Sequence, residues 1–129
     1  MRHILRLSLT TSIAVLALSA FAFAHHGNAA YDTSKMTTVT GTVTEFRFIN
    51  PHVIIAVDVQ DPATGKIEKW EGELTSPNHL ERAGWTKSTI KPGDQITMSG
   101  SALKNGAPAM AIRKIMKNGE PISTGGGDN

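Results

Sequence analysis

The stretch from Gly41 to Val59, reading GTVTEFRFINPHVIIAVDV, limits the possible folds more than any other part of the chain. It is the longest run of strand-forming residues in the sequence. Val43, Phe46, Phe48, Ile49, Val53, Ile54, Ile55, Val57 and Val59 are β-branched or aromatic, types that suit a pleated, half-buried surface. The run is interrupted once, at Asn50-Pro51. Proline has no backbone N–H and drives the residue before it toward extended conformations, so it does not suit the middle of a central strand. Two strands meeting at a corner satisfy both facts, with His52 starting the second. A polar Asn-Pro-His inside so much apolar sequence marks either a structural corner or a site.

The residues before the corner read as an amphipathic strand. From Thr37 onward Val39, Gly41 and Val43 alternate with Thr38, Thr40, Thr42 and Thr44, which puts threonine on the outer face. The apolar phase slips near Glu45, where Phe46 and Phe48 take over. A β-bulge produces such a slip and bends the strand, and Gly41 suits a place where the backbone curves. The second strand, His52 to Gln60, carries Val53, Ile55, Val57 and Val59 on one face and His52, Ile54, Ala56 and Asp58 on the other. Asp61 to Gly65 has turn composition. In the third strand, Ile67 to Leu74, Trp70, Gly72 and Leu74 face one way and Lys69, Glu71 and Glu73 the other.

A short helix is expected from Ser76 to Ala83. Ser76 suits the N-cap and Pro77 the first helical position. Gly84 suits the left-handed position after the last turn, and Trp85 then falls where a Schellman cap makes its apolar contact, opposite Leu80. Lys91-Pro92-Gly93-Asp94 is a turn, and Gln95 to Ser101 is a fourth strand with Ile96, Met98 and Gly100 inward. Asn105-Gly106 signals a hairpin into a fifth strand, Met110 to Met116. The order predicts a mostly β fold, a five-stranded OB-like Greek-key barrel with one short helix between strands three and four. A barrel also disposes of sheet edges. An open antiparallel sheet or a small sandwich is the alternative.

The N-terminal residues predict export. Arg2, His3 and Arg6 form a basic start, apolar residues run from Ile13 toward Phe23, and Ala22-Phe23-Ala24 fits a small-x-small cleavage pattern. The stretch is too short for a good membrane span. Ala20-Phe21-Ala22 fits as well, so cleavage after Ala22 is the alternative to cleavage after Ala24. The expected organisation is a signal peptide over 1–24, an N-terminal arm over 25–36, the barrel over 37–119 and a compositionally flexible tail over 120–129. Removing the first 24 of 129 residues leaves 105, enough for one small domain. Arg2 and Arg6 leave with the signal, so Lys+Arg falls from 13 to 11 against 11 Asp+Glu. The processed chain then has no basic excess to argue for nucleic acid or an anionic membrane. Cysteine is absent, which excludes disulfides and thiolate metal sites.

Several motifs stand together along the chain: an Ala-His-His start, Gly-x-Val, the Asn-Pro-His strand, Trp70-x-x-Glu73, Ser76-Pro77 leading to Gly84-Trp85, and Lys91-x-Gly93-Asp94. In this order they resemble a family of small exported bacterial proteins classed as a domain of unknown function. The resemblance covers roughly His25 to Gly119. It implies an exported single domain in the periplasm and supplies no activity.

Four histidines survive processing: His25, His26, His52 and His79. A free N-terminal His25 offers its α-amino nitrogen and ring Nδ1 as one chelating pair, and one more imidazole completes a three-nitrogen brace. Copper(II) favours tetragonal nitrogen sites, and an α-amino group with a pKa near 8 yields its proton to a metal readily. His52 is the first choice of partner, with His79 or His26 second. The plainer reading makes His25-His26 an unstructured start and His52 a hydrogen-bonded corner residue. Met36, Met98, Met110 and Met116 are soft ligand types, but their strand phases place most of them in the core. Trp70 and Trp85 read as core and cap residues. Asp58, Glu71 and Glu73 form an acidic group that alternates with core positions, as on a solvated strand face, and no catalytic residues are assigned. Three functions follow: a binding module for a metal ion, copper above others; a metal-free OB-type ligand- or protein-interaction module; and a carboxylate hydrolase. Partner and oligomeric state are not specified by the sequence.

Overall fold

The computed structural model describes residues 29–126, so the expected signal segment, residues 1–24, and the His25 and His26 positions lie outside the described residues. The chain divides into Met1–Ala30 and Tyr31–Asn129, and the fold lies in the second unit. The threonine-alternating sequence forms β1, Thr37–Arg47. Its apolar phase slips because Val43 pairs with Val57 while Glu45 pairs with Ala56, leaving Thr44 unpaired in a bulge. The bulge changes which side chains face inward: Val43 is buried before it and Phe48 after it. Gly41 marks a close approach, since a Cβ there would stand 2.6 Å from the Asp58 carbonyl oxygen.

β2, Ile54–Gln60, and β3, Ile67–Glu73, form an antiparallel pair. His52 precedes β2, and pairing reaches no further back than Val53, which exchanges hydrogen bonds with Leu74 and Thr75. Val53, Ile55 and Val57 are fully buried, as the alternation predicts. β4, Gln95–Ala102, pairs with β1, and β5, Ala109–Lys117, pairs with β4. A parallel pairing of β3 with β5, from Glu71 opposite Ala109 to Glu73 opposite Ala111, closes the sheet. The result is a closed five-stranded mixed barrel with one short helix between β3 and β4, the OB-like architecture expected from the order of elements.

The helix, α1, spans Pro77–Arg82. Its C-terminal end is a Schellman cap: the Trp85 N–H donates to the Leu80 carbonyl at 3.0 Å and the Gly84 N–H to that of Glu81 at 3.0 Å. Gly84 takes φ 89°, and Leu80 and Trp85 both join the core. The N-terminal end differs from expectation. Ser76 occupies the N-cap but its side chain makes no capping bond; its carbonyl accepts from His79 and Leu80 instead. A hydroxyl cap would accept from the N–H of the second or third helical residue, Asn78 or His79, and the His79 N–H goes to the Ser76 carbonyl instead.

The residues after β5 carry one further element. Asn118 and Gly119 both take positive φ and turn the chain into a two-residue strand, β6, Glu120–Pro121, paired with β5. The carbonyl of Ser123 then accepts the Trp85 indole N–H at 2.7 Å. Of the four methionines expected mostly inside, Met98 and Met110 are in the core, whereas Met36 and Met116 are exposed. Met116 sits outward on β5, and Met36 precedes β1 outside the strand alternation. Among the described residues no helix is long and apolar enough to cross a membrane.

Candidate functional site

The β1–β2 corner is the place where polar and apolar residues change sides. Phe48 is buried and the next residue, Ile49, is 60 % exposed. The Asn50–Pro51 peptide that follows is cis. His52 emerges from this corner with its side chain half exposed, and its Nδ1 lies against Oε1 of Glu73. Glu73 ends β3, where its register partner is Ile54 at the start of β2. The other carboxylate oxygen, Oε2, accepts the phenol O–H of Tyr31 at 2.8 Å. Tyr31 is itself fixed. It bridges to Leu103, and the next residue, Asp32, donates its N–H to the Ala102 carbonyl at 2.8 Å.

Three segments distant in sequence therefore meet at one carboxylate. Burial, together with the bond to Glu73 and its negative charge, pushes the Tyr31 phenol up to about 12. A carboxylate oxygen against Nδ1 favours the tautomer with its proton on that nitrogen. In the neutral ring the Nε2 lone pair is then outside this contact, on a side chain that is half exposed. This is the arrangement metal-ligating histidines commonly have, with one ring nitrogen for the ion and the other held by a carboxylate or carbonyl. As a donor, His52 fits a metal that accepts imidazole nitrogen.

The other two carboxylates of the expected acidic group, Asp58 and Glu71, are committed to cations. Asp58 pairs with Lys69 directly across the β2–β3 ladder at 3.0 Å, and Glu71 receives Arg47 Nη2 at 2.6 Å. The acidic group expected on this face is thus a set of exposed cross-strand pairs, each worth little in stability. His79 lies elsewhere, on α1, with its ring beside Gly125. It shares no partner with His52. Among the described residues no group of three or more His, Asp or Glu is arranged to hold a metal. Trp85 is the cap and core residue expected; Trp70 is only partly buried and its indole N–H donates to Glu68 at 2.6 Å.

Tyr31 was not singled out by sequence reasoning. The available signal is that the chain has one tyrosine, placed in an otherwise polar arm. Arg113 and Lys114 also went unremarked, although two adjacent cations break the alternation expected of a half-buried strand.

A family model described as a family of unknown function (DUF6152) matches residues 13–111. The chain belongs to DUF6152. A search of curated proteins finds no match. Among solved structures, the DUF6152 barrel is similar to the crystal structure of a mitochondrial single-stranded DNA binding protein from S. cerevisiae, Rim1. The two are 9 % identical with a TM-score of 0.50, over 67 % of this chain and 95 % of that one. At this identity the likeness shows a shared fold.

Proposed function

We propose that this DUF6152 chain is an exported OB-type binding module whose ligand is a metal ion, copper first, held by His52 Nε2 and the start of the processed chain. The observation that carries the reading is the run of contacts from Tyr31 through Glu73 to His52, which aims one imidazole and leaves its outer nitrogen free. Export to the periplasm rests on the basic start, the apolar run and the Ala22-x-Ala24 pattern. Cleavage after Ala24 gives His25 a free amine, and that amine with its ring Nδ1 forms the chelating pair to which His52 adds a third nitrogen. His25 precedes Tyr31 by six residues. At about 3.3 Å per residue that length spans up to about 20 Å, so the anchored tyrosine leaves His25 enough chain to meet His52. His26 and His79 are the alternative third ligands.

Nucleic acid is not the ligand proposed, although the Rim1 structure is titled as a single-stranded DNA binding protein. Single-strand binding on an OB face uses a positive groove and stacking rings. The outward positions of β2 and β3 are Ile54, Ala56, Asp58, Lys69, Glu71 and Glu73, with neither feature. A metal-free interaction module is the second reading, and exposed Ile49 beside the corner favours it. The two separate on copper(II) affinity of the chain beginning at His25 against the same chain with one glycine added in front. The added residue turns the amine into an amide, and the brace predicts a loss of about tenfold or more. Equal affinity removes the brace and makes the metal-free module the preferred reading.

A further inference from the structure

In a regular strand consecutive side chains point to opposite faces, so two adjacent cations share a face only where the alternation breaks. β5 contains such a break. Ser99 pairs with Lys114 and Gly100 with Ile112, which leaves Arg113 as the extra residue of a bulge. Gly100 is what allows it, because a Cβ there would sit 1.9 Å from the Ala111 carbonyl oxygen. Ile112 and Ile115 pack into the core on either side, while Arg113 and Lys114 are both exposed. Bulges are a means of re-aiming a side chain.

Both cations border a groove of about 500 Å³ between β4, β5 and the segment after β6. Its polar wall comes from Thr97 and Ser99 and from Ser123 and Thr124, and its apolar part includes Met116 and Ile122. Thr97 and Ser99 are hydrogen-bonded to Thr40 at 2.9 Å and Thr38 at 2.8 Å. Each hydroxyl pair uses one of its two O–H hydrogens, leaving the second to donate elsewhere. Among the described residues Arg113 and Lys114, like Lys66, Arg82, Lys87, Lys91 and Lys104, have no carboxylate within ion-pair distance, whereas Lys35, Arg47, Lys69 and Lys117 each have at least one.

We infer that this groove is a binding site for a small oxyanion-bearing molecule, a phosphate or carboxylate compound, taken by Arg113 and Lys114. The guanidinium fork matches two oxygens of either anion, and the lysine adds a point charge. The hydroxyls supply further donors, and the apolar part accommodates the body of the ligand. The volume lies in the range of small-molecule sites. This site is independent of His52 and of any metal there.

The test titrates pyrophosphate and, separately, citrate into the full processed chain, reading backbone amide shifts by NMR. Saturable shifts at Thr97, Ser99, Lys114 and residues 122–124 are expected with at least one anion. A response to pyrophosphate alone assigns the site to phosphates, and to citrate alone assigns it to carboxylates. The double variant R113Q/K114Q should keep its melting temperature, since both side chains are exposed, and lose about tenfold or more in affinity. Absence of saturable shifts with both anions overturns the inference. So do shifts centred on other lysines, such as Lys35 and Lys104, or unchanged affinity in the double variant.

Discussion

Glu73 serves two neighbours with one carboxylate, the His52 ring on one oxygen and the Tyr31 phenol on the other. Because the chain has a single tyrosine, its tyrosinate absorbance reports on this cluster without interference from other phenols. The folded phenol should titrate at about 12 instead of its ordinary 10.0. Folding therefore favours the protonated phenol. That contribution to stability is complete below pH 10 and is lost as pH rises from about 10 through 12. Glu73→Gln removes the negative charge and should bring the transition part of the way back toward 10.0, the burial contribution remaining. A folded transition already near 10, or one unmoved by Glu73→Gln, would contradict the geometry. The two halves of this cluster were unequally visible in sequence. His52 stands out as a polar residue after proline in an apolar run. The Tyr31–Glu73 bond joins residues 42 positions apart, and no local pattern encodes it.

Single elements were legible where their determinants are local. The end of α1 is specified by Leu80, Gly84 and Trp85, all within one turn and its cap, and the predicted Schellman bonds form. Gly84→Val should destabilise the protein by about 1 kcal/mol or more, from backbone strain at positive φ. Space is not the issue, since a Cβ at Gly84 meets nothing within 4 Å. A denaturant melt that finds the variant as stable as the parent would count against the cap. The bulge at Thr44 was also readable, from the shift of apolar phase between Val43 and Phe46. β6 is legible by the rule that makes Asn105-Gly106 a hairpin signal, since Asn118-Gly119 is the same dipeptide making a second turn. The hold of Ser123 on Trp85 was not readable, because it spans 38 positions and uses a carbonyl, which every residue possesses.

At the scale of the molecule, the order of three strands, a helix and two strands was enough to indicate a closed OB-like barrel, because few topologies bury five amphipathic strands without leaving an edge. The β3–β5 closure brings Glu73 and Ala111 into register, and the barrel so formed presents the β1–β2 corner, the end of β3 and the Tyr31 segment at one place. The candidate site is thus a product of topology. Its members come from three parts of the chain, and only His52 declared itself beforehand. The ligand question reduces to whether the outer nitrogen of that histidine is a ligand. The direct measurement is copper(II) affinity of the chain beginning at His25, by competition with a chelator of known strength, with and without His52→Ala. His52 is half exposed, so the variant should fold with little loss of stability. The account predicts that its copper affinity falls by about tenfold or more; an affinity equal to that of the parent would contradict it.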